Sequence, residues 1–194
     1  MRYLVLTWND IVKLSIELTE KIIESGFKPD VIVGVMRGGW VVAKIVEDLL
    51  GVQEIASLEI KFYKGIGEKA ERPILTQPLV VDIRDKKVLV VDDVADSGRT
   101  LQTATEIVRL HGAREVKTAT LYVKPWSIII PDYYSGTTTA WIVFPWEYGE
   151  VLREVALKNY GQLNYDTLIK ASRIIGLNDK EVLKLINVIV KRCA

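Results

Sequence analysis

Short β-branched runs alternate with apolar stripes of period 3.6 from the start of this chain to about residue 145, and few folds accommodate that alternation. Strand, helix and strand in succession make the βαβ unit, so the expected fold is α/β: a mainly parallel, twisted sheet flanked by helices. Ile11, Leu14, Leu18 and Ile22 place one stripe on a first helix that Gly26 ends. Val31 to Val35 is a continuous apolar run, as a strand covered on both faces requires. Val42, Ile45, Val46 and Leu49 form a second stripe closed by Gly51, and Ile55 to Tyr63 reads as a strand. Residues 64 to 72 are aperiodic, with two glycines and mixed charges, and read as a loop. Val88 to Val91 is a buried strand, followed by a helix from about Leu101 to His111, a strand from Val116 to Val123 and another from Ala140 to Phe144. Beyond Gly149 the tail is helical, with Val182, Leu185, Ile186 and Ile189 on one face and a capping pair at Asn178 and Glu181. The expected division is a domain over residues 1–150, including a hood segment, and a helical C-terminal extension over 151–194.

A chain that is 49% hydrophobic buries enough surface to fold, which excludes disorder. With 26 basic and 25 acidic residues it carries no net basic field, so neither nucleic acid nor an anionic membrane is an expected partner. The single Cys193 cannot form an internal disulfide, and with one histidine, His111, no zinc set is available. The N-terminus lacks a signal-peptide pattern, and no uncharged stretch reaches the ~20 apolar residues of a membrane span. A reducing, cytoplasmic setting is the expectation.

The chemistry concentrates in VLVVDDVADSGRT, Val88 to Thr100. The aliphatic strand is expected to deliver Asp92 and Asp93 to the surface at its carboxyl end, where open α/β sheets bind ligands. Adjacent carboxylates suit hydroxyls or a cation. Asp96, Ser97, Gly98, Arg99 and Thr100 then open a helix, where small residues and the positive helix terminus suit an anion. The combination fits a sugar phosphate. A merely well-capped helix leaves the acid pair unexplained; the GxxxxGK[ST] spacing of nucleoside triphosphatases is absent; and in a receiver domain such a strand would begin the domain.

DDVADSGRT closely resembles the phosphoribosyl-pyrophosphate (PRPP) motif of type I phosphoribosyltransferases. The resemblance implies that Asp92 and Asp93 contact the ribose hydroxyls or their Mg2+, that Ser97 to Thr100 hold the 5′-phosphate, and that Asp96 accepts a proton from the incoming base. The upstream turn VGVMRGG resembles the family's pyrophosphate loop, which implies catalytic and PRPP-binding roles for Arg37 and a PRPP-binding role for Gly38, with an unusual Arg37–Gly38 peptide. The loop at 64–72 then acts as a lid.

YVKPW, ending at Trp126, and TAWIVFPWE, Thr139 to Glu147, combine a cation with aromatics, as a flat purine with an exocyclic oxygen requires. They resemble the xanthine–guanine and hypoxanthine–guanine members. That implies Lys124 on purine O6, Trp141 stacked on the ring, the Ile142 carbonyl at the 2-position and Glu147 near the base or metal. The implied activity is phosphoribosyl transfer from PRPP to a 6-oxopurine in purine salvage, by a Mg2+-dependent homo-oligomer, dimer or tetramer. Two positions depart from those members: Phe62-Tyr63-Lys64 replaces a Ser-Tyr pair, and Glu147 stands where the bacterial xanthine–guanine type has Asp. From the residues alone, Trp146 could simply close a small core and Lys124 could be a solvated strand end. Adenine, uracil or orotate remain alternative bases. A nucleotide-sensing regulator, its tail stripes at Leu168, Ser172 and Ile175 forming a helix-turn-helix, is the alternative outside catalysis.

Overall fold

The computed structural model describes residues 2–63, 72–177 and 180–193. Its main sheet has six strands in the order β4-β3-β2-β5-β6-β7: β2 (Val31–Val35), β3 (Glu54–Tyr63), β4 (Arg72–Gln77), β5 (Lys87–Ala95), β6 (Glu115–Val123) and β7 (Tyr133–Thr137). All neighbours are parallel except the β3–β4 pair. Helix α2 (Gly38–Leu50) makes the β2–β3 crossover and α3 (Arg99–Leu110) the β5–β6 crossover, while α1 (Trp8–Glu24) precedes β2. The α/β expectation holds.

Packing explains the order. Val88 and Val90 of β5 share a core with Val31, Val33 and Val35 of β2 and with Leu101, Ala104 and Val108 of α3. The α1 helix is tied to the β7 edge: Lys21 Nζ donates to the Tyr134 carbonyl at 2.6 Å and Ser135 Oγ to the Leu14 carbonyl at 2.8 Å. Asp132 anchors the start of β7 by accepting from both Thr118 N and Thr118 Oγ1 on β6, at 2.9 and 2.8 Å.

Besides the three-residue strand Tyr3–Val5, two strands escaped the periodicity. β4 is an exposed edge strand with Pro73 in it, and its Ile74 and Leu75 face solvent, so no alternation marks it. β7 reads YYSGT; its Gly136 lies against the Tyr122 ring, where an added Cβ would stand 2.8 Å from the ring. The lid segment expected at 64–72 falls outside the described residues, except that Arg72 begins β4; of the expected capping pair, Asn178 lies outside them as well, while Glu181 falls in the first turn of the last helix, Lys180–Cys193.

The chain forms two compact units, residues 11–139 and residues 1–10 with 140–194. Residues 140–150 therefore cluster with the tail, whereas the sequence reading ended its first domain at 150. The second unit pairs β1 (Tyr3–Val5) in parallel with β8 (Trp141–Val143) and carries α4 (Tyr148–Tyr160), α5 (Tyr165–Ile175) and α6 (Lys180–Cys193). Its core joins Val143, Leu152, Leu168, Ile175 and Ile186, so the tail's apolar stripes are spent on packing within the unit. Asn164 and Thr167 form a reciprocal capping box that starts α5. Among the described residues no helix is long and apolar enough to cross a membrane.

Leu101, 1% exposed, fills the α3–sheet contact. Leu101→Ala lowers stability by about 2–5 kcal/mol in urea unfolding; a loss within about 0.5 kcal/mol, as at an uncommitted surface position, would contradict this packing.

Candidate active site

Chain direction reverses across the sheet between β2 and β5: β2 leads to β3 on one side, and β5 to β6 on the other. Ligands in open α/β sheets bind beyond the carboxyl ends of strands at such a switch point. The β2–α2 turn and the β5–α3 loop both lie there.

The turn comes first. Met36 N donates to the Leu58 carbonyl at 2.8 Å, fixing the end of β2 on β3. The cis peptide in this turn is Met36–Arg37, one bond before the Arg37–Gly38 peptide named from the sequence. Arg37 is exposed and precedes α2, and its charge reaches Glu59, whose carboxyl is held below its ordinary value by the Thr76 hydroxyl first, then Lys61 and Arg37. Gly39 approaches β5 so closely that a Cβ there would lie 2.6 Å from Asp92 Cα and 2.7 Å from the Val91 carbonyl oxygen. Only glycine permits this contact.

The acid pair differs from expectation. β5 does not end at Val91; its ladder with β6 continues through Asp92↔Thr120, Val94↔Tyr122 and Ala95↔Val123. Asp92 is therefore buried, at 7% exposure, where surface delivery was expected. Burial pushes its carboxyl well above the ordinary range, and the charge of Asp93 adds to the rise. Each carboxylate accepts the next backbone N–H: Asp93 N to Asp92 Oδ1 at 3.0 Å and Val94 N to Asp93 Oδ1 at 2.9 Å.

Asp96, Ser97 and Gly98 form the loop into α3. Gly98 is the N-cap, with φ of +79°, and a Cβ there would collide with Ser127 Oγ. Ser97 Oγ accepts from Arg99 N at 3.3 Å, and Thr100 lies in the first turn, where helical N–H groups have no partners within the helix. The Arg99 guanidinium lies over the Phe62 ring, 4.6 Å from its centroid, and both border a cavity of about 390 Å3 with Ser97 and Trp126.

The segment after β6 braces this loop. Lys124 N donates to the Ala95 carbonyl and Ile128 N to the Ser97 carbonyl, both at 3.0 Å. Lys124 is buried rather than a solvated strand end; burial lowers its ammonium pKa, and the negative charge of Asp96 partly opposes that. The Trp126 indole N–H donates to Asp96 Oδ1 at 2.9 Å, and Lys124 Nζ sits 5.7 Å from the Trp126 ring centroid. Trp126, named in the sequence only as the end of YVKPW, had no role of its own there; its signal was an aromatic two residues after the lysine.

Trp141, Ile142 and Glu147 belong to the second compact unit. Trp141 is 44% exposed on β8. Trp141 N donates to the Arg2 carbonyl and the Val143 carbonyl accepts from Leu6 N, so strand alternation turns the Ile142 N–H and C=O to the edge away from β1. Glu147 precedes α4 and its carbonyl accepts from Val151 N. Trp146 stacks on Phe144 at 4.8 Å and tilts against Trp8 at 5.8 Å, so it does serve a small aromatic core.

A description of the phosphoribosyl transferase domain matches residues 5–151. A purine phosphoribosyltransferase structure from Pyrococcus horikoshii is 44% identical, with TM-score 0.69, over 75% of this chain and 94% of that one. The xanthine-guanine phosphoribosyltransferase of Cereibacter sphaeroides is 34% identical over 60% of this chain and 68% of its own. The bifunctional protein PyrR of Clostridium novyi is 33% identical, and the match spans 60% of its length.

The Asp92 carboxyl sets a pH dependence. Its folded pKa lies above the ~3.9 of an unfolded chain, so the folded state holds the proton more tightly and stability falls as pH rises from about 4 toward the raised value. In metal-free buffer, Asp92→Asn melts above the parent at pH 8, and the gap closes toward pH 4. A parent at least as stable as the variant at pH 8 would contradict the assignment.

Proposed function

Since this chain belongs to the phosphoribosyl transferase family, we propose that it transfers the phosphoribosyl group of PRPP to a ring nitrogen of a 6-oxopurine: guanine, xanthine or hypoxanthine. The observation that carries this reading is the brace between the β5–α3 loop and Lys124, which puts an anion loop, a carboxylate and a buried ammonium in one rigid piece. The likeness to purine and xanthine–guanine enzymes supports the choice of base.

In this reading the C1′–O bond breaks with its electron pair leaving on pyrophosphate, a C1′–N bond forms, and the proton of the purine imidazole passes to Asp96. Asp92 and Asp93 take the ribose hydroxyls. Ser97, Gly98, Arg99 and Thr100, with the start of α3, take the 5′-phosphate. Arg37, Gly38 and their turn take the pyrophosphate, whose negative charge grows as the bond breaks. Lys124 donates to O6, Trp141 offers a face for the ring, the Ile142 carbonyl is free of the β1 ladder for the 2-position, and Glu147 lies on the same segment.

Enzymes of this family use PRPP with a divalent metal. Mg2+ fits the donors present: Asp92 and Asp93 offer only hard oxygens, and the raised carboxyl of Asp92 marks charge that a cation would compensate. Among the described residues no cluster of three or more His, Cys, Asp or Glu could hold a metal, so substrate and water oxygens would complete the shell. Bound there, the ion supplies positive charge against the leaving pyrophosphate. The exposed apolar side of α1, with Trp8, Val12, Ile16 and Ile23, supports a homo-oligomer, dimer or tetramer.

A PRPP-dependent assay tests the reading across guanine, xanthine, hypoxanthine, adenine, uracil and orotate. The 6-oxopurines are consumed; exclusive use of adenine or a pyrimidine overturns the base assignment. Lys124→Met raises KM for the base roughly tenfold or more, as loss of a charged hydrogen bond does, with KM for PRPP unchanged. Asp96→Asn lowers kcat by about 100-fold or more while PRPP still binds; undiminished turnover removes Asp96 from proton transfer.

A further inference from the structure

Trp126 lies in an exposed stretch, yet its ring is held from two directions. Its indole N–H donates to Asp96 Oδ1 at 2.9 Å, and Lys124 Nζ lies over its face, 5.7 Å from the centroid. The backbone around it has little freedom: Ser127 N closes a turn on the Lys124 carbonyl at 3.0 Å, Ser127 Oγ donates to the Ile129 carbonyl at 2.8 Å, and Ile128 N is bonded to the Ser97 carbonyl at 3.0 Å. Gly98 packs against Ser127 and Ile129 with no room for a side chain. A tryptophan 55% open to water contributes little to a core. What it does contribute is a directed donor to one carboxylate oxygen and an electron-rich face for one ammonium.

We propose that Trp126 is a positioning residue for the transfer reaction: its N–H occupies Oδ1 of Asp96 and so presents the other carboxylate oxygen to the purine imidazole, while its ring keeps Lys124 aligned for the exocyclic oxygen. The proposal rests on the roles given above to Asp96 and Lys124. A carboxylate turns readily about its Cβ–Cγ bond, and a proton acceptor misplaced by a fraction of a hydrogen-bond length loses much of its effect. Fixing one oxygen from the side removes that freedom. Because the same indole touches Lys124, the distance between proton acceptor and O6 donor is set by one rigid ring rather than by two flexible side chains.

Steady-state kinetics on Trp126→Phe, Asp96→Ala and the double variant test the proposal, with Trp126→Ala as a fourth protein. Trp126→Phe keeps a ring under Lys124 and deletes only the N–H. It lowers kcat by about tenfold, the scale of one hydrogen bond to a charged group, while KM for PRPP and the melting temperature stay at parental values. Adding Trp126→Phe to Asp96→Ala changes kcat by less than about twofold, because the carboxylate it orients is gone. Trp126→Ala, which also strips the face from Lys124, raises KM for the purine as well. A parental kcat in Trp126→Phe overturns the proposal. So does an equal loss in the Asp96→Ala background, or a loss that comes with a lower melting temperature and a higher KM for PRPP, which would mark a structural role. Asp96→Ala turning over at the parental rate removes the proton-acceptor reading itself, and the proposal with it; an impaired Asp96→Ala beside an unaffected Trp126→Phe removes the proposal alone.

Discussion

Gly39 and Asp92 touch where only a hydrogen fits between them, and the arrangement of the site follows from that contact. The contact brings the start of α2 onto β5 at the first acid of the pair, so the turn carrying Arg37 and the shelf carrying Asp92 and Asp93 share one floor. On the other side of β5, the ladder to β6 runs on to Ala95 and hands over to the Lys124–Ala95 hydrogen bond. Three loops from three strand ends are thereby fixed around the switch point of the sheet, where parallel sheets bind their ligands.

This arrangement has an energetic cost that the rest of the sheet offsets. A carboxyl with 7% of its surface exposed, beside a second carboxylate, opposes folding whenever it is ionised. Lys124 is buried too, with its ammonium destabilised for the same reason. Val33, Val90, Leu101 and their neighbours supply the apolar burial that carries these groups. Polar groups fixed in this way need not reorganise when a charged substrate arrives, which is the usual source of electrostatic catalysis.

Much of this was legible in the sequence because its signals were local. The runs at Val31 and Val88, the stripes of α1 to α3 and the nine residues from Asp92 to Thr100 each declare themselves within one element. What escaped depended on partners distant along the chain. The extension of β5 through two aspartates contradicts strand propensity and exists because β6 pairs alongside it. The burial of Asp92 depends on Gly39, more than fifty positions away. Edge strands β4 and β7 bury too little to alternate, and Trp126 gains its meaning only from a hydrogen bond to Asp96. The grouping of residues 140–150 with the tail depends on β8 pairing with the N-terminal strand β1.

The central claim is that the β2–α2 turn and the β5–α3 loop together clasp a phosphorylated ribose that carries pyrophosphate. Isothermal titration calorimetry of the whole chain with PRPP and Mg2+ measures that directly. The account requires one saturable site per chain, weakened at least tenfold by Gly98→Val, whose branched side chain cannot share space with Ser127. Absence of any binding heat at millimolar PRPP, or full affinity in Gly98→Val, would contradict it.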